Sequence, residues 1–212
     1  MMISASASAP SRLRLLDEEV LRWARTRGHS PRADRAVARF SRLGEHAGIW
    51  VAIGVAGQAL DRAQKDRWRR MTRTIVLTYG LNTAIKLAIR RRRPQLQGLP
   101  PLTSTPSQLS FPSAHASTSF VAAQLFRRVG LPRLPLYALA SGLALSRVYL
   151  GVHYPSDVLA GALLGSAVAG SVALAHPLPA AGHGEAESNG TVDFGAGLRS
   201  RLRASTGTGL ST

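Results

Sequence analysis

The 212-residue chain contains no cysteine. Disulfides and thiolate metal centres are therefore excluded, and the redox compartment is left open. Acidic residues are scarce, 11 against 27 Lys and Arg, for a formal charge of +16 and a pI near 11.8. Such an imbalance points to nucleic acid or to anionic lipid headgroups. Aromatics are only 6% of the chain. Few of them lie near the arginines, so the stacking platforms of a nucleic-acid binder are missing, and no nucleic-acid partner is expected. Met1 to Pro10 is small and polar with no apolar run behind it, so no cleavable signal peptide is expected. No internal repeat is visible.

What is present is segregation. Hydrophobic residues make up 45% of the chain, yet the mean hydropathy is close to zero. Ala/Gly/Leu/Val-rich blocks alternate with short Arg-rich ones, the pattern of a small multi-spanning membrane protein. The blocks are Ala47 to Leu60, Met71 to Ile89, Ala114 to Phe126, Leu134 to Leu145 and Val158 to Ala175. The first is short against the roughly 20 residues a span requires, and the last is uncharged. Residues 1–11 read as a disordered lead. Residues 12–42 read as an amphipathic interfacial helix, with Leu13, Leu16, Val20 and Leu21 at helical spacing among nine arginines. A solvated soluble helix is the alternative there. Residues 176–212, rich in Pro, Gly, Ser and Thr, read as a disordered tail. The expectation is an all-α, multi-spanning bundle of five to six helices, with residues 43–175 as the spanning core. Without the three candidate site cations, the positive charges divide evenly between the two faces and leave the orientation open.

Three stretches stand at the ends of apolar blocks. In the first, Lys86 and Arg93 are two helical turns apart and share a face if the helix persists to Pro94. Two cations there suit an anion, phosphate above all, although an arginine run that anchors a helix at the headgroups would look the same. In the second, Phe111-Pro-Ser-Ala-His115, the Ser113 hydroxyl and backbone N–H groups at a helix start form an anion cradle. A histidine so placed is also commonly structural. In the third, Ser146-Arg147 is followed by His153 and Asp157. Pro155 suits the first turn of the last block, which puts Asp157 where it fixes the His153 tautomer. Together these are the parts of an activated histidine nucleophile. Crowded arginines repel a divalent metal and attract an oxyanion, so neither a metal nor a cofactor is expected.

The three stretches read K-x6-R-P, P-S-x-H and S-R-x5-H-x3-D, in that order. The chain resembles the type 2 phosphatidic acid phosphatase family, whose wider superfamily includes vanadium-dependent haloperoxidases. The resemblance spans residues 39–175 and departs at Ala114, where the family usually has glycine. It implies a helical bundle in a bacterial plasma membrane, a lipid phosphate substrate, and the following roles. Lys86, Arg93 and Arg147 hold phosphate oxygens, with Ser113 and the Ala114 N–H adding hydrogen bonds. His153 attacks phosphorus, Asp157 orients it, and His115 moves the proton. The stretches around His115 and His153 are also similar to bacterial phosphatases of polyprenyl-linked cell-wall lipids. Undecaprenyl pyrophosphate, phosphatidylglycerol phosphate and phosphatidic acid stay open as substrates, as does the oligomeric state. Haloperoxidase chemistry and a lipid-binding scaffold are the rival readings.

Overall fold

A computed structural model describes residues 11–175. The expected disordered lead, but for Ser11, and the expected tail lie outside this range. Ser11 opens helix α1 (Arg12–Thr26), its hydroxyl accepting from the Arg14 N–H. Ser30 opens α2 (Pro31–Arg42) in the same way, with Pro31 at the first position. The stretch expected to form one amphipathic helix over 12–42 is thus two helices. The break falls at Gly28, whose φ of +70° is a left-handed conformation that glycine adopts without strain.

A 3-10 turn (Glu45–Ala47) leads into α3 (Gly48–Leu60), and a second (Arg62–Gln64) into α4 (Lys65–Ile89). Asp61 holds that corner, accepting from the Gln64 N–H and from the Trp68 indole at 3.1 Å. Helix α4 stops earlier than the sequence suggests. Arg90 turns left-handed at φ +54°, and its N–H caps the Lys86 carbonyl. Arg93 therefore sits in the following loop and does not continue the helix. That loop pairs with itself: the Arg93 N–H donates to Gln108 O and the Ser110 N–H to Arg91 O.

Helices α5 (Ala114–Phe126), α6 (Arg133–Tyr149) and α7 (Pro155–Ala175) complete the described residues, with no strand among them beyond isolated bridges. The central element is α5, buried at most of its positions and packed by α4, α6 and α7. Gly161 and Gly165 let α7 lie directly on it: a Cβ on either would run into the Ser113 or Ser117 carbonyl. Ala169 continues that seam and is buried, whereas Gly170 faces open space. At the other end of the bundle Trp50, Trp68 and Phe126 form an aromatic cluster, and the Trp50 indole donates to Ser119 Oγ at 2.8 Å.

Among the described residues one helix, α7, is long and apolar enough to cross a membrane. Its 21 residues correspond to about 31 Å. Helix α4 is longer, but its first half carries six charged residues from Lys65 to Arg73. Apolar side chains also point outward from α3, α4, α6 and α7, among them Val55, Val76, Leu77, Leu145, Leu159 and Leu163.

Candidate active site

Four segments meet at one end of the bundle: the end of α4 with the loop after it, the start of α5, the end of α6, and the α6–α7 loop with the first turn of α7. They bring together all eight residues singled out from sequence. His153 faces Arg93, Lys86 and Arg147. Its Nε2 lies 3.1 Å from Arg93 Nη1. A guanidinium only donates, so Nε2 is the unprotonated nitrogen and Nδ1 carries the hydrogen. That Nδ1 is 3.5 Å from Asp157 Oδ2. Burial, then the three cations, hold the imidazole pKa well below its ordinary value, and the ring is neutral.

Asp157 is fully buried and is used three ways. Its Oδ2 accepts from the Tyr154 N–H at 2.9 Å, closing the first turn of α7. Its Oδ1 accepts from Arg91 Nη1 at 2.8 Å. Its backbone carbonyl accepts from the Ser113 N–H at 2.9 Å. The start of α5 is thereby tied to the start of α7.

The cations are held by neutral acceptors. Arg93 donates to Ser107 O and Val152 O, each at 2.7 Å, and burial brings its pKa down to about 10, leaving it charged. Lys86 Nζ reaches Leu109 O at 3.4 Å. Arg147, 4% exposed, donates from Nη1 to Ser41 Oγ at 2.7 Å.

Ser41 at the end of α2 also offers its backbone carbonyl to His115 Nε2 at 3.0 Å. A carbonyl only accepts, so His115 carries its hydrogen on Nε2 and has Nδ1 free. Three buried polar atoms are left without partners in this cluster: Ser113 Oγ, Arg147 Nε and His153 Nδ1. Ser113 makes no cap bond to its own helix. Buried orphans are rare and call for an explanation. Two are donors beside a helix N-terminus whose own first-turn N–H groups lack intrahelical partners. A tetrahedral oxyanion would satisfy Ser113 Oγ, Arg147 Nε and those N–H groups, whereas His153 Nδ1 faces Asp157. Ala114, which departs from the family's usual glycine, is not in the left-handed region and carries no strain.

Three contributors were not found from the sequence. Ser41 joins Arg147, Ser146 and His115. Arg91 binds Asp157, and Asp17 of α1 binds Arg91 at 2.7 Å. Arg91 belonged to a run of four arginines with nothing to separate it from its neighbours. Ser41 and Asp17 lie 106 and 74 residues from their arginine partners, and no local pattern marks them. Arg93 also borders an outer cleft formed with Leu13, Arg14, Ile89, Arg91 and Tyr154.

A neutral buried histidine with a fixed tautomer, three cations and unpaired donors at a helix start can together receive a phosphoryl group and offset its charge. The chain matches the PAP2 superfamily over residues 68–178 and belongs to it. It is 43% identical over 136 residues to the decaprenylphosphoryl-5-phosphoribose phosphatase of Mycobacterium tuberculosis, covering 63% of this chain and 75% of that one. Its fold matches the crystal structure of Aquifex aeolicus LpxE with a TM-score of 0.65 at 24% identity, covering 83% of this chain and all of that one. It also matches a transmembrane PAP2-type phosphatidylglycerolphosphate phosphatase from Bacillus subtilis, with a TM-score of 0.63 at 25% identity over 80% of this chain and 90% of that one.

Proposed function

We propose that the chain is a membrane-embedded lipid phosphatase of a bacterial plasma membrane that works through a phosphohistidine. The observation that carries this is the His153 ring: neutral, buried, its free Nε2 facing Arg93 and its Nδ1–H facing Asp157. Nε2 attacks phosphorus in line; the P–N bond forms as the P–O ester bond breaks. The positive charge that develops on the imidazole is offset by Asp157. Lys86, Arg93 and Arg147 carry the charge on the equatorial oxygens, and Ser113 Oγ and the Ala114 N–H donate to them. The proton of a monoanionic phosphate ester passes to His115 Nδ1, the nitrogen left free because Nε2 is held by the Ser41 carbonyl, and from Nδ1 to the leaving alkoxide. The same nitrogen then takes a proton from the water that cleaves the P–N bond, and phosphate leaves. Each step stands on side-chain cations and protons.

The substrate we favour is a polyprenyl phosphoribose carrying a terminal phosphate, on the strength of the mycobacterial relative. An apolar cleft between α1, α6 and α7, bordered by Trp23, Phe120, Leu145, Val158 and Leu159, suits its hydrocarbon chain. We read residues 12–175 as the catalytic domain, with the apolar blocks of α3 to α7 as spans and α1 and α2 at the interface. The outward apolar side chains of these helices support that reading.

The test is phosphate release in detergent with EDTA present. Wild type and His153→Ala are compared on a polyprenyl phosphoribose phosphate, phosphatidylglycerol phosphate, undecaprenyl pyrophosphate and phosphatidic acid. Release that survives EDTA and is lost in the variant is expected, fastest on the first lipid. Equal release by the variant overturns the nucleophile, and a different preferred lipid overturns the substrate.

A further inference from the structure

Helix α1 lies outside the stretches that carry the family resemblance, yet one of its side chains is linked through Arg91 to Asp157, the nucleophile's partner. Asp17 is 3% exposed. Its Oδ1 accepts from the Ser156 N–H at 2.9 Å, and its Oδ2 accepts from the Ser156 hydroxyl at 2.5 Å and from Arg91 Nη2 at 2.7 Å. Arg91 turns its other nitrogen to Ser156 Oγ at 2.7 Å and to Asp157 Oδ1 at 2.8 Å, and its guanidinium lies over the Tyr154 ring at 4.2 Å. The result is a chain of four groups, Asp17, Arg91, Asp157 and His153, that runs from the N-terminal helix to the attacking imidazole.

We propose that Asp17 and Arg91 are positioning residues for the phosphoryl-transfer step, acting on His153 through Asp157. The proposal rests on His153 being the nucleophile. Arg91 fixes one oxygen of Asp157 and so aims the other at Nδ1. Alone, it would also draw the carboxylate's charge away from the imidazole just as that ring becomes cationic. Asp17 shares the guanidinium, so Asp157 keeps more of its charge for His153. A single arginine between two buried carboxylates balances one of them, and the developing imidazolium balances the second.

Asp17→Asn is the informative change. Asn keeps the size and one acceptor for Ser156, but its NH₂ faces either Arg91 Nη2 or the Ser156 donors, and the shared negative charge is gone. Asp17→Asn and Arg91→Gln are each expected to lower kcat on the order of tenfold, with KM close to wild type. The double variant should be no slower than Arg91→Gln alone, because both act along one path. Asp17→Glu, which restores the charge, should recover part of the loss.

A second readout does not need turnover. In wild type, ¹⁵N NMR of His153 should show a protonated Nδ1 and a free Nε2, and the Asn variant should shift or broaden the Nδ1 signal. A merely structural Asp17 would lower thermal stability with additive rate losses and an unchanged His153 spectrum, and that outcome overturns the proposal. Wild type without any phosphatase activity would overturn the nucleophile reading, while the ring spectrum would still decide whether Asp17 governs His153.

Discussion

Gly44→Ala is a steric probe of His115 that alters none of the catalytic side chains themselves. Gly44 sits at φ −88° and ψ −4°, where alanine is unstrained. Its new Cβ would lie 2.6 Å from His115 Cδ2, 3.2 Å from Nε2 and 3.4 Å from Leu143 Cδ2. Carbon atoms settle at about 3.5–4.0 Å, so the ring must move by roughly 1 Å. It is buried and its Nε2 is held by the Ser41 carbonyl, so the move breaks or stretches that bond. A misplacement of about 1 Å costs on the order of 10² in rate.

The leaving group separates the proton-transfer role from general damage. An alkyl phosphate has a poor leaving group and depends on the acid; p-nitrophenyl phosphate does not. In the variant, single-turnover release of the lipid alcohol should slow about 100-fold. Release of p-nitrophenol should keep a burst of one equivalent per enzyme, followed by a slow steady state, because the same nitrogen must still activate water. Parallel slowing of both first turnovers, with no burst, would refute His115 as the proton donor to the ester oxygen. Unchanged rates for both would refute the placement of the ring.

Three further perturbations test the rest of the site. Ser41→Ala leaves Arg147 Nη1 without its acceptor beside an Nε that already lacks one, for a loss of about 1–3 kcal/mol. Added phosphate should raise Tm more in this variant than in wild type, and an equal shift would count against Arg147 as a phosphate ligand. Gly161→Ala drives a Cβ into the Ser113 carbonyl and should cost about 1–3 kcal/mol together with phosphate affinity, whereas Gly170→Ala, which meets nothing within 4 Å, should be neutral in both. The folded-state pKa of His153 lies well below the ordinary value of 6.5, so the unfolded chain binds the extra proton. Stability from this group is present above about pH 6.5 and falls by about 1.4 kcal/mol per pH unit below it. Denaturant titrations from pH 7.5 to 5 should show that slope in wild type and a shallower one in His153→Asn; equal slopes would mean that His153 is not held neutral.

The parts of this protein that the sequence revealed are those coded locally. Helix α5 runs from Ala114 to Phe126, end for end with the apolar block, and Pro155 opens α7 with Asp157 in its first turn. The three motif stretches were legible because each holds its residues within a dozen positions. What was misread depended on backbone choices that any residue permits. Arg90 adopts a left-handed turn where glycine would have signalled one, so Lys86 and Arg93 converge through a loop and not by helical spacing. Gly28 did signal, but the charge pattern continues across it on both sides. The supports of the site are tertiary: Ser41, Asp17 and Gly44 acquire meaning only when α1 and α2 close over the ends of α5 and α6.

The distribution of acids explains how three cations remain available side by side. Among the described residues none of Lys86, Arg93 and Arg147 forms a salt bridge. The buried carboxylates nearby, Asp17 and Asp157, are both engaged by Arg91. Arg91 therefore keeps the acids from neutralising the three proposed phosphate ligands, which rest on carbonyl and hydroxyl oxygens that an oxyanion would displace. Placing an acid among them should exchange function for stability. In Ser41→Asp, a carboxylate takes the position that accepts from Arg147 at 2.7 Å, while the backbone carbonyl that holds His115 is kept. The expected variant matches or exceeds wild type in Tm, no longer gains stability from added phosphate, and has a KM raised at least tenfold with the His153 spectrum unchanged. A Tm gain with normal phosphate binding would mean that Arg147 holds the helices together and never contacts the substrate.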